Sequence, residues 1–385
     1  MSLLRQKIEE EIRERGPIPF SRYMELCLYD PELGYYSRNA EQFGKAGDFY
    51  TSSDVHAVFG RLLARQFDEM WRVLGSPSRI ELVELGPGRG LFAQDVLGWS
   101  EKKFPGFFHA LRYMLMESSP ALRERINETL AQHLGSGKAA LATADLLDIG
   151  KTPTIFFANE FFDALPVEIL SREGSLRVET RDGRLKESWA QPSPEELEFL
   201  DRYSVHPEGD ERVEAPLAAQ SYMDRMAASI DRGFLIAIDY GYTREEQLAG
   251  RHRGTLKALR QHSVSANPYE APGEQDITAD VNFTALAAAA EKHGMQTHQL
   301  VTQSQFLMGI GEANQFGDAF EECRLPQERA KVALQLKHLV TPAGMGESFQ
   351  VLVVSKEIEK EKAAALAGLS FGRSSRGTNR GANGS

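Results

Sequence analysis

Apolar positions along this chain follow two alternating rhythms. Short, almost continuous apolar runs, the mark of strands buried on both faces, are separated by longer segments with helical spacing. Residues 1–15 read as a helix ending at Gly16-Pro17, and Pro19 to Tyr29 as a second that Asp30-Pro31 stops. Gly34 to Ser53, rich in glycine, aromatic and hydroxyl residues, reads as an ordered loop. Val55 to Val73 is a long helix leading into the first strand near residue 80. Further strands are predicted at Leu111–Glu117, Ala139–Ala144, Thr154–Asn159, Gly233–Tyr240 and, late in the chain, Phe349–Val354. Helices are predicted from Leu91, from Ser118-Ser119-Pro120 to about Leu134, and over Val281–His293.

This alternation predicts an α/β fold with a mostly parallel sheet and helices on both faces. Two insertions interrupt it, at about 171–220 and about 243–280. In the first, the alternation Leu176-Arg177-Val178-Glu179-Thr180 before Asp182-Gly183 predicts an antiparallel excursion. The expected organisation is an N-terminal helical extension with a cofactor-lid loop over 1–54 and a core over 55–356. Residues 357–385 are a helix end and a tail, whose Gly/Ser/Arg/Asn-rich part reads as disordered.

Composition narrows the function. The 385 residues suffice for one large core or two ordinary ones, with 42% hydrophobic and 26% charged content. A net charge of −11 argues against broad nucleic-acid binding, which needs a basic surface. Cys27 and Cys323 are not spaced as metal ligands, and no metal is expected. No apolar stretch is long enough to span a membrane. The acid-rich N-terminus resembles neither a secretory signal nor a transit peptide, so the expected location is cytoplasmic.

The chemistry gathers at strand ends. The first strand runs into Gly86-Pro87-Gly88-Arg89-Gly90, a tight turn before a helix, with Glu84 two residues ahead of the first glycine. Glycines there let the backbone turn sharply and let a ligand approach it. The spacing G-x-G-x-G departs from the dinucleotide fingerprint G-x-G-x-x-G. Glu117 closes the second strand, where an acid accepts hydrogen bonds from ribose hydroxyls; beside Ser118 it can equally cap a helix. Asp145 and Leu146 follow the third strand and suit an adenine ring, although Asp145 is also a credible N-cap. The fourth strand ends in Asn159-Glu160-Phe161-Phe162-Asp163-Ala164-Leu165-Pro166, too polar and too bulky for a plain turn. Glu160 there can pair with a guanidinium while aromatics exclude water. Asp239 ends the fifth strand. The segment Asp276 to Phe283 carries two acids, fits no calcium loop, and reads as a capped helix start.

The glycine turn is similar to the first motif of class I S-adenosylmethionine-dependent methyltransferases. The ordered set Gly34-Tyr35-Tyr36, Gly47-Asp48-Phe49-Tyr50-Thr51-Ser52, Val83–Gly90, Asn159–Pro166, Asp239-Tyr240-Gly241, Arg253-Gly254-Thr255-Leu256, Asp276–Phe283 and Met345-Gly346-Glu347 resembles the MidA-like branch of that class. The branch includes a mitochondrial complex I assembly factor that methylates a protein arginine. The resemblance implies a seven-stranded, Rossmann-like sheet and S-adenosylmethionine as cofactor. Its holders would be Gly47, Asp48, Tyr50, Thr51, Ser52, Glu84, Gly86, Pro87, Gly88, Gly90, Glu117, Ser118, Asp145, Leu146 and Asn159. Glu160, with Asp163 and Asp239, would orient the acceptor. The implied partner is a protein bearing an arginine, on a respiratory complex I type subunit in one version, with a homodimer allowed. Two alternatives stand beside this: methylation of a small molecule or another protein residue, and a non-catalytic assembly module. The chain departs from the branch at Ser53-Asp54 and at Asn282, where an acid is usual.

Overall fold

The computed structural model describes residues 2–38, 57–142, 151–260, 263–265, 267–342 and 344–371. The apolar runs form one sheet: β1 (Ile80–Leu85), β2 (Leu111–Met116), β3 (Ala139–Ala142), β4 (Thr154–Asn159), β5 (Gly233–Tyr242), β6 (Val281–Asn282), β7 (Gln296–Thr297), β8 (Val301–Thr302) and β9 (Phe349–Lys356). Their order is β7-β9-β5-β4-β1-β2-β3, with β6 beside β5 and β8 beside β9. From β3 to β5 all neighbours are parallel, and so is β6 to β5; β9 is antiparallel to β5, and β7 and β8 to β9.

Among the described residues the sheet has nine strands where seven were expected: seven lie in one line, and two short fragments pair beside β5 and β9. Beyond β9 the edge position is shared by two short fragments. The chain leaves the ladder between them: the His298 N–H still donates to the Val353 carbonyl at 3.0 Å, while the His298 ring bonds the Ser355 hydroxyl at 2.8 Å. β6 adds a two-residue pairing at the far end of β5.

Strand alternation divides the core into two layers. Ile80 and Leu82 of β1, with Phe234, Ile236 and Ile238 of β5, pack against the helices Ala57–Val73 and Leu91–Lys103. Val83 and Leu85, with Leu235 and Ala237, face the helices Leu217–Ser229 and Phe283–Glu291. Every position of β1 is buried, so its apolar residues Ile80, Leu82, Val83 and Leu85 fall on both faces instead of alternating, with Glu81 and Glu84 buried among them. Each large side chain fully buried in such a layer stabilises by about 1.5–3 kcal/mol relative to exposure. The helix expected from Val281 begins at Phe283, because Asn282 closes β6 and its side chain caps the helix, accepting from the Ala285 N–H at 3.0 Å.

The first insertion is antiparallel, as expected. Strands Glu168–Ser171, Gly174–Arg181, Arg184–Ala190 and Val213–Ala215 join Ile18–Pro19 in a five-stranded sheet. Its hairpin turns at Asp182 (φ 53°) and Gly183 (φ 68°), the two left-handed positions a tight hairpin requires. The second insertion supplies strands Lys257–Arg260, Ser263–Ser265 and Asp276–Thr278. The N-terminal helices Leu3–Arg15 and Phe20–Tyr29 bury Leu4, Ile8, Phe20 and Tyr23 against Val178 and Ile277 of these insertions. The extension and the insertions thus share one small core, set against the carboxyl end of the main sheet by Tyr29, whose hydroxyl donates to the Ala164 carbonyl at 2.9 Å. The glycine- and hydroxyl-rich loop expected over Gly34–Ser53 begins with a short helix, Tyr35–Arg38; residues 39–56 and the tail from 372 lie outside the described residues.

Candidate active site

β1 is flanked by β2 on one side and β4 on the other, so the chain crosses over in opposite directions from it. Ligands of open α/β sheets bind in the crevice this creates at the strand carboxyl ends. The glycine turn lies there. Gly86 (φ 61°) and Gly88 (φ 55°) both occupy the left-handed region, and the Gly86 N–H donates to the Met116 carbonyl at 3.1 Å. A Cβ on Gly86 would stand 3.1 Å from Cδ2 of Phe161. Gly86, Pro87 and Gly88 line one side of a cavity; Gly90 does not, and instead starts the following helix beneath Ile126 and Leu130.

Two acids predicted from strand ends reach the same cavity. Glu84 is 5% exposed, and its Oε2 accepts from the Tyr113 hydroxyl at 2.7 Å. Burial pushes its carboxyl up to about 8; the Tyr113 hydroxyl opposes the shift and the Glu117 charge adds to it. Glu117 Oε1 accepts from the Ser119 N–H at 2.8 Å. Burial pushes Glu117 up to about 7, against the N–H groups of Ser119, Ser118 and Gly88 and the charge of Arg123. The two readings of Glu117 thus meet in one residue, which lines the cavity with Ser118 and also orders the helix start. The N-cap itself is Ser119, whose hydroxyl accepts from the Leu122 N–H.

The segment after β4 forms the facing wall. Asn159, Glu160, Phe161 and Asp163 line the cavity, whereas Phe162 is core at 2% exposure. Asn159 Nδ2 donates to Glu160 Oε1 at 3.1 Å. Glu160 adopts φ 50°, a costly conformation for a residue with a side chain. Asp239, fully buried behind this turn, holds it: its Oδ2 accepts from the N–H groups of Phe161, Phe162 and Asp163 at 3.2, 2.9 and 3.2 Å, and its Oδ1 from that of Tyr240 at 2.9 Å. Asp239 does not itself line the cavity. Burial raises the Asp239 carboxyl, with the Glu160 charge adding to it. Asp163 is also raised, by burial first and then by the charges of Asp239 and Asp276. Removing the Asp239 carboxylate strands four N–H groups, so Asp239→Ala is expected to cost roughly 2–4 kcal/mol of stability. Urea denaturation measures this, and a loss below about 0.5 kcal/mol would contradict the clamp.

Several cavity residues escaped the sequence reading. Tyr29 and Tyr36 come from the N-terminal extension, Tyr222 from the helix Leu217–Ser229, and Asp276 and Thr278 from the second insertion. Asp276 is not part of a helix start: it sits on a strand, and the helix cap is Asn282. The tyrosine pair in Gly34-Tyr35-Tyr36 was the available signal for one wall, but nothing local ties it to a cavity made by distant segments. Gly47, Asp48, Tyr50, Thr51, Ser52, Asp145 and Leu146 lie outside the described residues.

The chain is similar in sequence, and in one case in solved structure, to known proteins. A family model described as "Putative S-adenosyl-L-methionine-dependent methyltransferase" matches residues 62–301. The protein arginine methyltransferase NDUFAF7 homolog, mitochondrial, of Drosophila melanogaster is 31% identical, covering 91% of this chain and 84% of its own. The protein arginine methyltransferase NDUFAF7, mitochondrial, of Danio rerio is 29% identical, covering 90% of this chain and 85% of its own. A solved superfamily member from Burkholderia thailandensis bound to S-adenosyl-homocysteine is 28% identical, covers 95% of this chain and 94% of its own, and superposes with a TM-score of 0.81. The expected cytoplasmic location is overturned here, since both named relatives are mitochondrial proteins.

Proposed function

Because the chain belongs to the family of S-adenosyl-L-methionine-dependent methyltransferases whose model spans residues 62–301, we propose that it methylates a protein arginine. The enzyme class and the cofactor follow from that membership and from the S-adenosyl-homocysteine held by its structural relative. The arginine acceptor is our reading, as is its placement on a complex I type subunit. So are action without nucleic acid, a homodimer, and the division into extension (1–54), core (55–356) and tail (357–385).

The described cavity fits the cofactor. Its polar lining is rich in acceptors: Glu84, Glu117 and Asn159, whose buried Oδ1 has no hydrogen-bond partner. S-adenosylmethionine offers donors in its ammonium, ribose hydroxyls and adenine amine, and when bound it supplies an electrophilic methyl group on a sulfonium. We assign Glu84 to the amino-acid end, Glu117 with Ser118 to the ribose, Asn159 to the wall between, and Gly86, Pro87 and Gly88 to close backbone approach. Gly90 sets the helix start behind them. Gly47, Asp48, Tyr50, Thr51 and Ser52 are proposed as the lid, and Asp145 and Leu146 for adenine.

The acceptor reading rests chiefly on Glu160. It lines the cavity together with Asp163, Phe161 and the tyrosines Tyr29, Tyr36 and Tyr222, so a planar cation entering it would find both carboxylates and aromatic rings. Glu160 would orient the guanidinium and accept the proton that its attacking nitrogen must lose, which makes that nitrogen the better nucleophile. Asp163 would share the charge, and Asp239 would act through the turn it holds. Holding acceptor and methyl donor in line is worth on the order of 7–11 kcal/mol. The test is transfer of labelled methyl groups from S-adenosylmethionine to arginine-containing peptides, followed by hydrolysis and amino-acid analysis. Label in methylarginines is expected; label confined to other residues would refute the acceptor.

Cofactor affinity should depend on pH with a definite sign. Ionised Glu84 and Glu117 accept the ligand's N–H and O–H groups, and each protonates near or above neutrality, at about 8 and about 7. Falling pH therefore weakens binding, by up to about tenfold per unit for each carboxyl involved. Calorimetric titration with S-adenosylhomocysteine should give a Kd that rises at least tenfold from about pH 8.5 to about pH 6, with a shallower rise in Glu84→Gln. A flat wild-type profile would remove both acids from the site.

A further inference from the structure

The cofactor side and the acceptor side of the cavity are joined by one residue of the N-terminal extension. The Tyr36 hydroxyl donates to Asp276 Oδ1 at 2.8 Å, and its carbonyl accepts from the Ser119 hydroxyl at 2.8 Å. Ser119 in turn donates its N–H to Glu117. Asp276 is 3% exposed and stands on the strand Asp276–Thr278, which pairs with Lys257–Arg260. Alternation along this strand sends Asp276 and Thr278 to the cavity and Ile277 to the core. The strand's exit is fixed to the acceptor wall, because the Ala279 N–H donates to the Asp163 carbonyl at 3.0 Å. The rings of Tyr29 and Tyr36, with centroids 5.5 Å apart, complete that side.

We propose that Asp276 is the residue that selects a cationic acceptor over a neutral one, and that Tyr36 positions it. The inference rests on the guanidinium reading above. Asp276 contributes a carboxylate from a third segment, independent of the Asn159–Asp163 turn. A guanidinium has five N–H donors in a fixed fork, more than one carboxylate can satisfy, so a second acid on another wall fixes the plane of the group as well as its charge. A neutral urea analogue of the same shape gains little from that second acid. Tyr36 restricts Asp276 to one orientation by its hydroxyl, and its carbonyl contact to Ser119 couples that orientation to the loop carrying Glu117.

The experiment uses the full chain saturated with S-adenosylhomocysteine and two neutral-backbone probes, Nα-acetylarginine methylamide and its citrulline counterpart, with binding followed by titration. Wild type should prefer the arginine probe at least tenfold. Asp276→Asn should cut that preference at least fivefold while leaving the S-adenosylhomocysteine Kd within twofold. Tyr36→Phe should reduce the preference at least threefold, again without changing cofactor affinity, and decides the matter if Asp276→Asn fails to fold. An Asp276→Asn protein, or in its absence a Tyr36→Phe protein, that keeps the wild-type preference would overturn the assignment. A wild-type complex with no preference at all would instead refute the guanidinium reading, and the assignment with it.

Discussion

Glu160→Gln should slow methyl transfer by about 100- to 10,000-fold while S-adenosylhomocysteine affinity stays within about twofold. The substitution keeps side-chain length and leaves an oxygen that can still accept from Asn159, so the turn after β4 retains its local contact. What disappears is one of the charges facing the acceptor and the capacity to take its proton. Asp163 cannot substitute easily: it is buried, its carboxyl is raised by Asp239 and Asp276, and it already accepts from the Ala164 N–H. Single-turnover measurement with preloaded cofactor separates the two quantities. A Glu160→Gln enzyme with the wild-type rate constant would move the chemistry to another group.

The second large effect lies on the cofactor side. Gly86→Ala should weaken S-adenosylhomocysteine binding at least about thirtyfold, and Gly88→Ala only about fivefold. Both positions have positive φ, so both pay about 1 kcal/mol for a side chain there. At Gly88 a Cβ meets nothing within 4 Å, whereas at Gly86 it presses on Phe161. That ring has little room to yield, being packed at 5.3 Å from Phe162 and 5.1 Å from Tyr222. The strain would spread to the Glu160 turn, so Gly86→Ala should also lower the rate at saturating cofactor. Equal affinities for the two variants would show that Phe161 does not confine the turn.

The parts of this molecule that could be read from sequence share a physical reason. β1, β2, β4 and β5 bury apolar residues on both faces, so their runs are dense in apolar residues, and residues near their carboxyl ends must lie at the sheet's carboxyl end. Glu84, Glu117 and Glu160 were visible because that rule converts chain position into spatial position. Asp276 was not, because its strand is three residues long and exists only through pairing with Lys257–Arg260. An acid a few residues before an apolar helical stretch mimics a cap, and the true cap, Asn282, stood six positions on. Asp239 lies near the carboxyl end of β5, which suggests a place beside the acceptor, yet its carboxylate turns back to collect the N–H groups of the neighbouring turn, a partnership no local pattern encodes. The edge of the sheet is hard to read from sequence for a similar reason: fragments as short as β7 and β8, two residues each, carry no period.

Glu160's left-handed backbone carries a consequence for attempts to stabilise the chain. At φ 50° glycine would be the more stable occupant, by an amount on the order of 1 kcal/mol. A search for thermostable variants of this chain, whether by selection or by design, would therefore be drawn to position 160 and rewarded for erasing its side chain. The strain is a cost in folding stability set against the place of this side chain in the cavity. Stabilising programmes should hold this position fixed and look for gains in the helical layers instead.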